Sequence, residues 1–173
     1  QMKTIGIALL LVSQLSVNIR NYAQNKSPDL TGAWETGSNV KKTKIYTQQF
    51  FAVSIYNTET KKFISTAGGR WRKSGKEIIE TIEFDSENPQ NVGTDRSAAY
   101  VLKSGKLILT ANGKGEEWTR VDDGTPGKLA GAWIITGRMN NGKMTQMNPG
   151  ARRTMKILSG TRFQWIAYNV ETK

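Results

Sequence analysis

The chain has 173 residues, carries a formal net charge of +11 and contains neither cysteine nor histidine. Without cysteine there are no disulfides, thiolate nucleophiles or cysteine zinc sites, and no lipidated N-terminal cysteine. Without histidine there is no imidazole general base, no imidazole metal ligand and no histidine-dependent triad. The apolar fraction is 37%, with five each of Trp, Tyr and Phe, which suits a globular aromatic core rather than disorder. The positive charge is spread along the chain; its densest clusters are Lys41-Lys42-Thr43-Lys44, Arg70-Trp71-Arg72-Lys73 and Arg152-Arg153. No reading module for nucleic acid accompanies them, so they are read as a solvated basic face and no nucleic-acid partner is expected.

Residues 1–23 read as a secretory signal peptide. Met2-Lys3 supplies the basic start, Ile5 to Val17 an apolar stretch, and Ala23 a cleavage position. The apolar stretch is shorter than the roughly 20 residues that span a bilayer. The expected location is therefore secreted or periplasmic, with no stable membrane span after cleavage; membrane association through an uncleaved leader is the other reading. Residues 24–29 form a polar linker.

From residue 30 onward the pattern is one of short strands. Thr31 to Thr36 is the first, followed by a polar, basic connection from Gly37 to Lys44. Lys44 to Asn57 reads as one long strand, rich in aromatic and β-branched residues and free of Gly and Pro. Its Ile45, Thr47, Gln49, Phe51, Val53, Ile55 face is placed inward. Lys62 to Lys73 follows, with a bulge expected at Ala67-Gly68-Gly69. Lys76 to Phe84 puts Ile78, Glu80, Ile82 and Phe84 on one face. Ala98 to Lys103, Lys106 to Ala111 and Glu116 to Val121 complete the set. No amphipathic helix interrupts them, so the expected class is all-β: a small antiparallel barrel of about seven to eight strands.

Leu30-Thr31-Gly32-Ala33-Trp34 returns 99 positions later as Leu129-Ala130-Gly131-Ala132-Trp133. The run Ile45 to Lys61 returns 112 positions later as Ile157 to Lys173, with seven of 17 positions identical. The ordered match reads as an internal repeat, with 13 extra residues in the second copy. The expected domains are a barrel at 30–121, a linker at 122–128 and a partial second copy at 129–173. Two strands alone do not close a barrel. The second copy is therefore expected to be cut short, with the parent polypeptide completing it.

Gly32-Ala33-Trp34 and Trp118-Thr119-Arg120 together resemble the lipocalin (calycin) signature. In that family a Trp on the first strand packs under an Arg from near the last. Tyr56 to Thr60, Gly68-Gly69-Arg70-Trp71 and Glu80-Thr81-Ile82-Glu83-Phe84 are similar to segments of lipocalin-like domains of unknown function in secreted or membrane-associated bacterial proteins. The resemblance implies a barrel closed by Gly32, Trp34 and Arg120, able to hold a small apolar ligand, with no catalytic residues to carry over.

Read from the residues, Phe51, Val53, Ile55 and Trp71 either fill the interior or line a cavity. Glu80 shares a face with apolar neighbours, where a carboxylate is costly unless paired. It is expected to meet Arg70, Arg72 or Arg120, or else to contact a ligand. Asp85, Glu87 and Asp95 fit no calcium loop, and no metal or cofactor is expected. The leading expectation is a non-enzymatic binding module for a small, largely apolar molecule. The alternative is a protein–protein or cell-surface interaction module with a solid core.

Overall fold

The computed structural model describes residues 30–122, 127–147 and 150–171; the leader expected at 1–23 lies outside them. As the sequence implies, the fold is all-β. Strands β1 (Gly32–Thr36), β2 (Val40–Tyr46), β3 (Phe50–Asn57), β4 (Lys62–Ser74), β5 (Glu77–Asp85), β6 (Asp95–Lys103), β7 (Lys106–Ala111) and β8 (Lys114–Arg120) form a closed antiparallel barrel in sequential order. The circle closes where Trp34 and Glu35 pair with Arg120 and Thr119. Apart from the β1–β8 closure, each barrel strand pairs with its neighbours in sequence, and the closure leaves the barrel without an unpaired edge.

The long second strand of the sequence reading is in fact a hairpin. Residues 40–46 are strand rather than connection, and the chain reverses at Thr47, Gln48 and Gln49 before β3. Thr47 holds the reversal. Its N–H donates to the Phe50 carbonyl at 2.8 Å, and its hydroxyl accepts the Phe50 N–H at 3.2 Å. A side chain that bonds to nearby backbone can stand in for glycine as the turn signal. Ser159-Gly160 stands 112 positions after Thr47-Gln48, and Ser159 makes the same two bonds to Arg162. That dipeptide was the legible clue. The reversal changes which residues point inward. Ile45 lies outside the barrel with Ala52, while Lys44 and Tyr46 face the interior with Phe51.

The bend at Gly68-Gly69 is present as a register shift between β4 and β5. Gly69 has φ +157, and a Cβ there would lie 2.1 Å from the Thr81 carbonyl oxygen. The shift leaves Ile82 inside but turns Phe84 outward, so the apolar face expected for β5 splits between two cores. The inner core centres on Trp34, Tyr46, Phe51, Ile78, Ile82, Leu107 and Trp118.

After the barrel come β9 (Gly131–Ile134), β10 (Gly137–Asn140), β11 (Lys143–Gln146), β12 (Arg152–Leu158) and β13 (Phe163–Asn169). Strands β10 and β11 make a separate hairpin, while β13, β12 and β9 form a three-stranded sheet. That sheet packs on the outside of the barrel. Met155, Ile157 and Ile166 join Ala33, Ile45, Ala52 and Phe84 in a second apolar core. Asp122 pins the junction. Its carboxylate accepts the Ala33 N–H at 2.6 Å and the hydroxyls of Ser159 and Thr161. Gln164 donates to the Thr66 hydroxyl at 2.6 Å, and the Tyr168 hydroxyl to Glu83 at 3.2 Å.

Glu35 adds a pH-sensitive contact, lying 2.9 Å from Arg162 and 3.3 Å from Lys41. Burial works against its ionisation, but Arg162 and then Lys41 outweigh burial and hold the carboxyl below its ordinary value. A depressed carboxyl stabilises the fold above the unfolded-state value and loses that contribution as pH falls through the folded-state value. We therefore predict that wild type exceeds Glu35→Gln in urea midpoint at pH 7, and that the gap closes as the pH falls below about 4.5. An unchanged gap at pH 3 would contradict the assignment.

Candidate functional site

One end of the barrel, where β7 turns into β8, opens into a cavity of about 400 Å³. Its apolar walls are Ile78, Ala98, Leu109 and Ala111, from β5, β6 and β7. Its polar lining comes mostly from Lys42, Lys44, Tyr46, Glu80, Lys114 and Glu116. Strand alternation explains the mixture. Lys42, Lys44 and Tyr46 are successive inward positions of β2, and Ile78 and Glu80 are successive inward positions of β5.

The deepest polar group is a buried triad. The Lys44 ammonium donates to Glu80 at 2.9 Å, and the Tyr46 hydroxyl donates to the same Glu80 oxygen. Side-chain exposures of 9% for Lys44 and 13% for Glu80 place this pair inside the barrel rather than on its surface. Burial, and then the neighbouring Glu80 carboxylate, push the Tyr46 phenol well above its ordinary value, so at neutral pH it is a donor. The Lys44 ammonium also lies 5.3–5.5 Å from the ring centroids of Trp118, Tyr46 and Phe51. Aromatic faces partly replace the water that a buried ammonium loses. Trp118 offers Lys44 its ring face; its buried indole N–H has no partner among the described residues. Nearer the rim, Lys42 pairs with Glu116 at 2.6 Å.

The partner of Glu80 is thus Lys44, and none of Arg70, Arg72 or Arg120. Arg70 pairs with Glu83, and Arg72 with Asp95, both on the outside. Arg120 lies 4.1 Å from the Trp34 ring centroid and donates to the Thr31 carbonyl at 2.8 Å. Gly32 sits beside it with φ +119, and a Cβ there would meet the Arg120 guanidinium at 3.0 Å. Gly32, Trp34 and Arg120 therefore come together at the end of the barrel opposite the cavity.

Of the five residues singled out for ligand contact, Glu80 lines the cavity. Phe51 is fully buried in the inner core, with Val53 and Trp71 packed against it. Trp71 contacts Tyr46 edge-on at 5.0 Å and donates its indole N–H to the Thr47 carbonyl at 2.8 Å, which ties it to the β2–β3 turn. Ile55 pairs with Lys42 and is half-buried. Sequence reasoning missed Lys44 and Tyr46, because the unrecognised Thr47 turn put them on the wrong face.

The acidic loop after β5 serves itself. Asp85 accepts N–H groups from Glu87 and Asn88, the Asn91 amide and Arg96. Burial opposes its ionisation, yet these donors hold its carboxyl below the ordinary value. Among the described residues no group of three or more metal-ligating side chains occurs, and no helix is long and apolar enough to cross a membrane.

The barrel is a closed, eight-stranded antiparallel one, compatible with a lipocalin-like fold. No protein-family model, curated protein or solved structure matches the chain.

Proposed function

We propose that the protein is a secreted or periplasmic, non-catalytic binding module that takes a small molecule into the open end of its barrel. The observation that carries this reading is the cavity itself. Its volume of about 400 Å³ falls in the range of small-molecule sites, which are mostly apolar with a few placed polar groups. Ile78, Ala98, Leu109 and Ala111 would take an apolar body, while the Lys44–Tyr46–Glu80 triad would orient one polar group. The ligand is then amphipathic rather than wholly apolar. A cavity of this size weighs against the alternative of an interaction module with a solid core. Catalysis is disfavoured because both carboxylates that line the cavity among the described residues are already committed, Glu80 to an ammonium and a phenol and Glu116 to Lys42.

The neutral fluorophore N-phenyl-1-naphthylamine tests the site. We expect saturable binding that Ala98→Phe weakens at least about tenfold by filling the cavity. The melting temperature of the unliganded variant should stay within a few degrees of wild type. No saturable binding, or equal binding by a folded Ala98→Phe variant, would remove the proposal. Native mass spectrometry of the secreted protein then identifies what it carries.

A further inference from the structure

The β9–β12–β13 sheet reproduces the first three barrel strands pair for pair. Gly131 faces Leu158 and Trp133 faces Lys156, as Gly32 faces Tyr46 and Trp34 faces Lys44. Lys156 faces Trp165 and Leu158 faces Phe163, as Lys44 faces Val53 and Tyr46 faces Phe51. Trp133 donates its indole N–H to the Leu129 carbonyl at 2.9 Å, and Trp34 does the same to Leu30. The two sheets differ in what covers them. Trp34 and Phe51 are 0% and 1% exposed; their counterparts Trp133 and Phe163 are 52% and 56% exposed, and Trp165 is 65% exposed. The face that the barrel buries is therefore open in the second sheet, while the opposite face is already used for docking on the barrel.

Beside this open face, β13 is an edge strand among the described residues. Its sequence, Phe163 to Asn169, contains no charge, Gly or Pro. Protective features of that kind normally keep an edge from pairing. In the barrel the equivalent edge, β3, is covered by the β4–β5 hairpin, which brings Glu80 to Lys44. Lys156 lies 5.6 Å over the Trp165 ring, and no carboxylate of the described residues pairs with it.

We infer that this face is an interaction surface for a partner protein's β-hairpin of the β4–β5 kind, one that carries alternating apolar residues and an inward carboxylate. The hairpin adds antiparallel to β13, lays alternate apolar side chains on Trp133, Phe163 and Trp165, and presents a carboxylate to Lys156. Main-chain pairing supplies affinity, and the alternating side chains supply specificity. Charge argues for this occupant over a second copy of the sheet, whose own Lys156 would oppose the first.

The probe is a synthetic peptide of residues 62–85, the hairpin that covers the equivalent face in the barrel, added to the whole chain and followed by calorimetry and NMR. We expect saturable binding, with cross-strand contacts between peptide Gly69 and protein Phe163. Glu80→Gln in the peptide should weaken binding about tenfold, the order of one charge-assisted hydrogen bond. Lys156→Met in the protein should weaken the native peptide by a similar factor and the Glu80→Gln peptide little further. Trp165→Ser should weaken both while the chain keeps its melting temperature. Absence of saturable binding overturns the inference, as does equal affinity of the two peptides or contacts mapping elsewhere. Self-association of the chain that Trp165→Ser abolishes also overturns it, by making a second copy the occupant.

Discussion

Replacing Glu80 with Leu is expected to lower the unfolding free energy by about 3–5 kcal/mol, the usual cost of stranding one member of a buried ion pair. The variant leaves the Lys44 ammonium among Tyr46, Phe51 and Trp118 with no anion, and leaves the Tyr46 hydroxyl without its acceptor. Lys44→Met should cost a similar amount by isolating the carboxylate. The double variant should lose much less than the two singles together, because an apolar pair of similar volume needs no desolvation. Urea denaturation of the four proteins gives the coupling directly. A coupling below about 1 kcal/mol would mean that the pair behaves as a surface salt bridge, contrary to its exposure.

Asp122→Ala is expected to cost about 2–4 kcal/mol. The carboxylate is 5% exposed at the residue level and satisfies three donors at once: the Ala33 N–H and the hydroxyls of Ser159 and Thr161. Removing it leaves the buried Ala33 N–H unpaired, at a penalty of about 1–3 kcal/mol, and also releases the half-buried Ser159 and exposed Thr161 hydroxyls from the junction. The loss should be local in character. Amide hydrogen exchange should accelerate in β12 and β13, whose docking depends on this junction, while β4 to β7 remain protected. Asp122→Asn retains an acceptor and should cost less. Uniform acceleration throughout the barrel would show that Asp122 supports the barrel rather than the docking of the sheet.

Residue 122 also shows how far the sequence could be read. Asp122-Asp123-Gly124 has the composition of a linker, and nothing local distinguishes the first aspartate from the second. Its importance comes from Ala33, 89 positions earlier, and Thr161, 39 positions later. Hydrogen bonds of that separation leave no periodic trace. Glu80 gives the same lesson from the other side. Its place among Ile78 and Ile82 marked it as an inward carboxylate needing a partner. The partner's identity depended on parity in β2, set by a three-residue reversal at Thr47 with no Gly or Pro. Only the aligned Ser159-Gly160 pointed to it.

The sequence by itself determined the all-β class, the bend at Gly68-Gly69 and both limits of β7, Lys106–Ala111. These follow from local chemistry: alternation of apolar and polar residues, and turn residues that fix backbone angles. Tertiary structure alone decided the rest. It split one apparent strand into two and moved Lys44 and Tyr46 inside. It opened the cavity at the β7–β8 end, and it set the second sheet against the barrel's outer wall with its aromatic face to solvent. Those outcomes rest on contacts between residues far apart in the chain, formed only once the barrel has closed and fixed which side chains meet.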